Sequence, residues 1–413
     1  MSQFTRRRNT PHAQRPEGRR TYSGQVRRSR FLLLPVALLL TAACGYNAAG
    51  SPVPKVTGTP PPSSASSSKA TADGLPEMPP VIGGNVYART RPDDLSAEAK
   101  KALPYAYAPN GLSDTVSVID QRDYSIVRTF PVGHNPEHVV PSYDFRWLWV
   151  TSDLGNSLTK IDPRTGMPVA RVAVDDPYNM YFTPDGKYSI IVAERLQRLD
   201  FRDPQTMAPH DSTKVQCPGI DHLDFSGDGR YFIATCEFGG LLVKIDTASH
   251  KVLGYLRIAP GSQPQDIRVA ADGKTFFVAD QATNSVEIID GPSFTMTDEV
   301  KGMKGAHGLY PSRDGTKFYL SDRRGSAVTV LDMATHKPVA TWSIPGGGSP
   351  DMGGVSVDGS RLWLSGRYTS FVYVFDTATG KVLQKVPVGK GPHGLSLWPQ
   401  PGRYSLGHTT NTR

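Results

Sequence analysis

The sequence has few cysteines, no basic excess beyond its first 43 residues, and no apolar run long enough to cross a bilayer as a helix. Only three of its 413 residues are cysteine, which excludes a disulfide-dense scaffold. The formal charge is +8, but nine arginines and a single acid within residues 1–43 account for all of it. The rest of the chain is neutral overall. A nucleic-acid partner is therefore excluded, because no positive charge is left to neutralise phosphates.

Several local motifs of common active sites are absent as well. The chain contains no Cys-x-x-Cys, no His-x-x-His and no Cys-x-x-Cys-His spacing. It also lacks a Gly-x-Ser-x-Gly elbow. These absences exclude a compact zinc motif, a c-type haem attachment site and the nucleophile turn of a serine hydrolase.

The N-terminal region predicts export. Its arginines lead into FLLLPVALLLTAAC at residues 31–44, where 13 apolar or small residues precede Cys44. This run is too short to span a bilayer but fits the apolar part of a signal peptide. Its TAACG ending resembles a bacterial lipobox, in which the cysteine becomes the lipid-modified N-terminus; the alternative is an ordinary secretory signal that is cleaved nearby. We therefore predict a signal peptide over residues 1–43 and a lipidation site at Cys44.

Residues 44–80 are rich in Pro, Ser and Ala and nearly free of large apolar side chains. Such a composition cannot bury enough surface to offset its ordering entropy, so we expect a disordered tether. The protein is then expected outside the cytoplasm, either lipid-anchored to the outer face of the cytoplasmic membrane or secreted.

From residue 114 the chain repeats with a period of about 43, which is typical of propeller blades. Each unit begins with a slot that is usually proline, and in the first six units an Asp of a tight turn follows eight residues later. The slot residues are Pro136, Pro177, Ile220, Pro264, Ala306, Pro350 and Pro392. Alternating β-branched and aromatic residues between the turns predict antiparallel sheets of four strands.

Seven slots predict an all-β, seven-bladed β-propeller over residues 114–413, after an irregular lead-in at residues 81–113. The last unit contains only two strands, which end near residues 402–410. The strands at residues 114–133 supply the missing pair, so N-terminal strands are expected to close the last blade. A closed ring has no open sheet edge, and we expect a monomer.

Three segments, TVSVID (115–120), TFPVG (129–133) and FDTATGKVLQKVPVG (375–389), resemble the YVTN-repeat, or YncE-like, family of bacterial surface β-propellers. The resemblance covers about 300 residues and implies the fold. It does not imply one activity, because propellers of this kind host binding, lyase and redox functions alike.

The residues that follow each slot begin the innermost strand of a blade, so a seven-fold ring should gather them at one mouth of the central channel. The first position after the slot carries Glu137, Tyr178, Asp221, Gln265, His307, Asp351 and His393. The second carries His138, Asn179, His222, Asp266, Gly308, Met352 and Gly394. The ends of the second strands return to this mouth with Asp153, Glu194, Arg195, Glu237, Asp280, Asp322, Arg323, Arg324, Arg367 and His408. The same hairpin places Cys217 near Cys236, which predicts either a disulfide or two separate buried thiols.

Three functions fit such a mouth. The first is binding of a small ligand such as an anion, a glycan or a peptide, with arginines for bidentate recognition. The candidate residues are His138, His222, His307, His393, Asp221, Asp266, Asp351, Arg195, Arg323 and Arg367. The second is a Cu, Zn or Fe ion, or a metallocofactor, on the four histidines. The third is a scaffold for a surface protein.

Alternation along a strand limits the metal hypothesis, because His138 and His222 need not aim at the same point as His307 and His393. No catalytic residue can be assigned from the sequence. If the protein is an enzyme, the resemblance implies a metal-dependent lyase, a lactonase or an oxidoreductase.

Overall fold

The computed structural model describes residues 74–413, and nearly all regular structure in this range is β-strand. The helical elements of these residues are short 3-10 turns: Pro92–Asp94, Ala99–Lys101, Gly111–Ser113 and Glu237–Gly239. Within the described range no helix is long and apolar enough to cross a membrane. The predicted signal peptide, the lipidation site Cys44 and most of the predicted tether lie outside the described residues.

Seven antiparallel sheets form the blades of a propeller. The chain begins with β1 (Tyr105–Asn110), β2 (Thr115–Asp120) and β3 (Ile126–Pro131), which belong to blade 7. Blade 1 follows with β4 (Pro136–Pro141), β5 (Leu148–Ser152), β6 (Ser157–Asp162) and β7 (Met167–Ala173). Blade 2 contains β8 (Pro177–Phe182), β9 (Ser189–Ala193), β10 (Arg198–Arg202) and β11 (Pro209–Lys214). Blade 3 contains β12 (Ile220–Phe225), β13 (Tyr231–Cys236), β14 (Leu241–Asp246) and β15 (Val252–Arg257).

The remaining blades repeat this pattern. Blade 4 contains β16 (Pro264–Val269), β17 (Thr275–Asp280), β18 (Ser285–Asp290) and β19 (Thr295–Lys301). Blade 5 contains β20 (Ala306–Pro311), β21 (Lys317–Asp322), β22 (Ala327–Asp332) and β23 (Pro338–Ser343). Blade 6 contains β24 (Pro350–Val355), β25 (Arg361–Gly366), β26 (Phe371–Asp376) and β27 (Val382–Pro387). The C-terminal strands are β28 (Ser396–Trp398), β29 (Ser405–Gly407) and β30 (Asn411–Thr412).

The seven-bladed prediction is confirmed, but the strands of blade 7 are divided differently from the prediction. Its order is β28-β1-β2-β3, so the C-terminus supplies one strand and the N-terminal part supplies three. The predicted propeller start at residue 114 is therefore late, because β1 lies within the stretch that was expected to be irregular. β29 and β30 extend the sheet of blade 2 instead, next to β8.

Burial follows the position of a strand within its blade. The innermost strands β4, β12, β16 and β24 are buried along their whole length. The outermost strands β7, β11 and β23 are mostly exposed. The innermost strands contact one another in an unbroken circle, and apolar clusters fill the spaces between neighbouring blades. This packing fixes the residues at the start of each innermost strand around a central channel.

A β-bulge begins the innermost strand of most blades. In blade 1, Pro136 pairs with Ser152 and the regular register resumes only at Val139. The same shift occurs after the slot residues of blades 3, 4, 5 and 6. The N–H of the second residue after the slot thus loses its ladder partner. In blades 1, 3, 5 and 6 a Ser or Thr of the second strand accepts it, as Thr151 does for His138 at 3.0 Å. Because a bulge breaks strict alternation, consecutive side chains can both face the channel.

The face opposite the mouth carries the Asp-Gly turns and is crossed by the start of the described chain. The N–H of Leu75 donates to the carbonyl of Asp228, and that of Val86 donates to Ala271. The last residues of the predicted tether, from residue 74, therefore lie against blades 3 and 4. At this end of the channel, Arg413 forms a buried ion pair with Asp224 at 2.9 Å.

Candidate functional site

The first and second residues after each slot surround the channel where the innermost strands begin, and we call these two sets the upper and the lower ring. The upper ring contains the first residue after each slot: Glu137, Tyr178, Asp221, Gln265, His307, Asp351 and His393. The lower ring contains the second: His138, Asn179, His222, Asp266, Gly308, Met352 and Gly394. A cavity of about 310 Å³ opens above them. It is lined by upper-ring residues, by ends of second strands and by the loops that follow, and by no lower-ring residue.

Asp351 is the centre of a charged network in the upper ring. Its carboxylate accepts hydrogen bonds from Nε of Arg323 at 2.8 Å and from Nδ1 of His393 at 2.6 Å. Nδ1 of His307 lies 3.1 Å from the same carboxylate, although its direction does not make a hydrogen bond. Burial raises the pKa of Asp351, but Arg323, His307 and Arg367 together outweigh it and hold the pKa below its usual range. His393 is thereby left with Nε2 directed towards the hydroxyl of Tyr178, at 3.4 Å.

The predicted anion-binding arginines already have carboxylate partners. Arg367 binds both oxygens of Glu137, at 2.9 and 3.4 Å. Arg323 is paired with Asp351 and contacts His307. Arg195 does not line the cavity; its Nε binds Asp176 at 2.6 Å, and its side chain is 46% exposed. These pairs leave neither arginine of the cavity wall, Arg323 or Arg367, with its charge uncompensated, which argues against the predicted recognition of an anion in the cavity.

Three carboxylates of the cavity wall have no basic partner within ion-pair distance among the described residues: Asp153, Glu194 and Glu237. Asp153 accepts hydrogen bonds from Asn135, at 2.8 Å, and from the N–H of Leu154. Glu237 accepts one from Gln281 at 2.9 Å. Burial, together with the neighbouring carboxylates, raises the pKa of Glu194 to about 9. Burial and the nearby Asp221 raise the pKa of Glu237 to about 7.

Aromatic rings complete the wall of the cavity. Tyr178 lies in the upper ring, whereas Phe238 and Tyr368 stand at the rim with relative exposures of 66% and 69%. Large exposed rings beside unpaired carboxylates are a combination that attracts organic cations, because the ring faces and the carboxylates both carry negative potential. The cavity volume lies at the lower end of the range of about 300–1,000 Å³ that is usual for small-molecule sites.

Three buried histidines meet beneath the cavity. His138 and His222 come from the lower ring, and His408 reaches them from the turn after β29. Their ring centroids are 4.8–5.4 Å apart, and one nitrogen of each lies within 4.8 Å of the others. Burial lowers the pKa of all three, that of His222 to about 4, so the rings are neutral at pH 7.

Most nitrogens of this cluster have no hydrogen-bond partner among the described residues 74–413. Both ring nitrogens of His138 and His222 are buried without one, as is Nε2 of His408. Nδ1 of His222 lies 2.9 Å from Oδ1 of Asp221, but the two are not aligned for a hydrogen bond. A buried polar group without a partner costs about 1–3 kcal/mol, so a closely packed group of them calls for an explanation.

The ten predicted ligand residues thus separate into three groups. Those that line the cavity are His307, His393, Arg323 and Arg367. Those that are buried behind or below it are His138, His222, Asp221, Asp266 and Asp351. Arg195 lies outside the cavity. Of the predicted metal ligands, His307 and His393 bind the Asp351 network, while His408, which was not among them, completes the histidine cluster.

The wall residues Phe238 and Gln281 were absent from the predicted mouth, although they lie directly after the predicted residues Glu237 and Asp280, in the loops that follow β13 and β17. The predicted pairing of the cysteines is found: Cys217 and Cys236 form a disulfide with a Cα–Cα distance of 5.1 Å.

The chain matches the family model described as YNCE-like beta-propeller over residues 74–401. No curated protein matches it. Among solved structures, a protein of unknown function from Desulfotomaculum acetoxidans is 18% identical, with a TM-score of 0.62, and the match covers 71% of this chain and 99% of that one. The periplasmic gluconolactonase of Pseudomonas aeruginosa is 19% identical, with a TM-score of 0.61, over 73% of this chain and 100% of that one.

The hydrazine synthase of Kuenenia stuttgartiensis is 20% identical, with a TM-score of 0.56, over 65% of this chain and 91% of the other. Identities this low show a shared fold and nothing of the chemistry. The family model covers more of this chain than the structural matches do, since it extends from the start of the described residues to beyond the closing strand β28. The protein belongs to the YNCE-like β-propeller family.

Proposed function

We propose that this propeller binds a small organic cation in its channel cavity, with Asp153, Glu194 and Glu237 recognising the positive charge. One observation carries the proposal. The cavity wall holds three carboxylates without a basic partner, whereas its two arginines are each compensated by a carboxylate of their own.

The charge balance of the wall supports a cation over an anion. An anion would have to displace Glu137 from Arg367 or Asp351 from Arg323, and each exchange would leave a buried carboxylate unpaired. A cation meets no such competition at Glu194 and Glu237. The pKa of both groups is raised first by burial and then by repulsion from neighbouring carboxylates, and a bound positive charge would relieve the repulsion.

The aromatic rim supports a ligand with apolar substituents on its charge. Phe238 and Tyr368 are largely exposed, and the phenol group of Tyr178, an upper-ring residue, is a third aromatic group in the wall. Quaternary ammonium groups are recognised by such rings through cation–π attraction. Choline is therefore a suitable probe, because it combines a trimethylammonium group with a small size.

Thermal unfolding of the full chain with single probes at constant ionic strength tests the proposal. Choline chloride should raise the unfolding temperature saturably, since a ligand that binds only the folded state stabilises it by about 2.7 kcal/mol at 100 times its Kd. Sodium gluconate should have no effect. The gain from choline should be smaller in Glu194→Gln and in Glu237→Gln and retained in full in Glu98→Gln, which removes a partly exposed carboxylate paired with Lys101 outside the cavity.

The opposite pattern would contradict the proposal. Stabilisation by gluconate and not by choline would restore the anion hypothesis. Stabilisation by calcium chloride alone would show that the carboxylates bind an inorganic ion, and a response to none of the three probes would favour a protein partner at this mouth.

Location outside the cytoplasm is typical of this family, and the disulfide fits an oxidising compartment. We further propose that the chain is held at the outer face of the membrane by a lipid on Cys44. Replacing Cys44 with Ala should move the protein from the membrane fraction to the soluble exported fraction, and unchanged fractionation would contradict a lipid anchor.

A further inference from the structure

We propose that His138, His222 and His408 bind a late first-row transition-metal ion, Zn²⁺ or Cu²⁺, in the channel beneath the cavity. This site uses residues that do not line the cavity, so it goes beyond the proposed cation binding. It also replaces two of the predicted ligands, because His408 takes the place of His307 and His393.

The distances fit a metal after a small movement. One nitrogen of each histidine lies within 4.8 Å of the other two. If all three separations were 4.8 Å, a metal ion at the centre would lie about 2.8 Å from each nitrogen, and shorter separations would bring it closer. Zinc–nitrogen bonds are about 2.0–2.1 Å long, so each ring nitrogen has to move inward by about 0.7 Å or less. Rotations of the side chains are sufficient for such a change.

The chemical state of the rings fits as well. A metal ligand must offer an unprotonated nitrogen, and all three rings are fully buried. Five of the six ring nitrogens have no partner within the described structure. Three neutral imidazoles with a further position left open are a donor set that suits zinc and copper, whereas magnesium and calcium require oxygen ligands.

Surrounding residues would hold the rings in place. Nδ1 of His408 lies 3.0 Å from Nδ2 of Asn179, whose Oδ1 accepts the N–H of Met180 at 2.8 Å. For Nε2 of His408 to bind the ion, the Asn179 amide has to turn so that its oxygen accepts an Nδ1–H, and this exchanges the bond to Met180 for one to His408. The opposite nitrogen, Nε2, then faces the cluster and lies 3.8 Å from Oδ1 of Asp266. Asp221 stands beside His222. Contacts of this kind orient metal-binding histidines, and the two carboxylates offset part of the charge of the ion.

The site has direct neighbours in the cavity. The ring of His393, which lines the cavity, lies 4.9 Å from the ring of His138 between their centroids. Gly394 leaves the room that His138 occupies, since a Cβ at this position would lie 2.1 Å from Nδ1 of His138. An ion would therefore sit immediately below the proposed ligand pocket.

Metal titration of the full chain, purified without a histidine tag and stripped with chelator, tests the inference. We expect one equivalent of Zn²⁺ or Cu²⁺ per chain in competition with a chromophoric chelator. The affinity should fall at least about 100-fold in His222→Gln and in His408→Gln. It should be unchanged in His336→Gln, an exposed histidine, and within threefold of the parent in His307→Gln.

Electron paramagnetic resonance of the Cu²⁺-loaded parent provides a test that needs no variant to fold. Hyperfine coupling to three nitrogens is expected. Absence of a bound equivalent, coupling to fewer than two nitrogens, or equal losses in His336→Gln and His222→Gln would overturn the inference. Loss of the ion in His307→Gln with retention in His408→Gln would also overturn it, in favour of the upper-ring histidines. Choline binding is read independently of all these outcomes, so failure of one proposal can be told from failure of the other.

Discussion

The affinity of the cavity for choline should rise steeply with pH. A cation binds the ionised forms of Glu194 and Glu237, but burial and mutual repulsion raise their pKa values to about 9 and about 7. Protons must therefore leave before or during binding, and the cost of removing them falls as the pH approaches each pKa.

The magnitude follows from the two pKa values. If both carboxylates must ionise, the apparent affinity is lowered about 10⁴-fold at pH 6 but only about 10-fold at pH 8, so it rises about three orders of magnitude between them. Above pH 9 the affinity should level off. At pH 8 most of the Glu194 population is still protonated, so binding of one choline should release about one proton.

Isothermal titration calorimetry measures both quantities. The Kd is determined from pH 6 to pH 9, and the proton release is obtained from the difference between two buffers with different ionisation enthalpies. In Glu194→Gln only Glu237 contributes, and the gain from pH 6 to pH 8 should shrink to about tenfold. A Kd that does not change with pH, or binding that is tighter at pH 6, would refute the assignment of these carboxylates to the ligand.

Three further predictions concern the stability of the ring, each checked by urea unfolding against the parent chain. Replacing Cys217 and Cys236 with Ser should lower the free energy of unfolding by about 3 kcal/mol, because the disulfide closes a loop with a sequence separation of 19; no change would mean that the bond does not form. Changing Asp224 to Ala should cost about 3–5 kcal/mol, since it leaves the buried guanidinium of Arg413 unpaired, and a cost below 1 kcal/mol would contradict a buried ion pair. Gly353→Ala should cost about 3 kcal/mol, because its Cβ would lie 1.8 Å from a backbone oxygen of the next strand, and a neutral substitution would contradict this close approach.

The seven-bladed fold can be predicted from the sequence because the same weak local pattern recurs at a constant period. One Pro followed by an Asp-Gly turn predicts little, but seven slots at a constant period predict seven blades. The strand β1 escaped this reasoning, since YAYAPN has neither the slot nor the turn of the repeat. Its alternation of Tyr and Ala is the only local sign of a strand. The correct closure of blade 7 depends on long-range pairing with β28, which no local pattern encodes.

The site was predicted in its location but not in its chemistry. Strict alternation would turn His138 and His307 in opposite directions. The β-bulges after the slots of blades 1 and 5 break this alternation, so both side chains can face the channel. The Thr or Ser that accepts the freed N–H, such as Thr151, recurs in four blades and is a usable sign of the bulge. The sequence also shows which residues carry a charge but not which of them form ion pairs with one another. Arg323 and Arg367 therefore predict an anion site from the sequence, whereas in the structure they pair with Asp351 and Glu137.

His408 was placed at the mouth for an incorrect reason. It was assigned to the second strand of the last blade, whereas it reaches the channel from a segment that joins blade 2. Its N–H donates to the carbonyl of Met180 at 2.9 Å, and this contact carries the ring to its position beside His222. A residue outside the repeat cannot be placed by the period of the repeat.

The most direct test of the central claim compares choline with its neutral isostere 3,3-dimethylbutan-1-ol, which has the same shape and no charge. Both are titrated into the full chain at pH 8.5 in the same calorimeter. Cation–π attraction and the carboxylates predict that choline binds at least tenfold more tightly, which is about 1.4 kcal/mol. Equal affinity, or tighter binding of the alcohol, would show that the cavity selects shape or apolar surface and would contradict recognition of positive charge at this mouth.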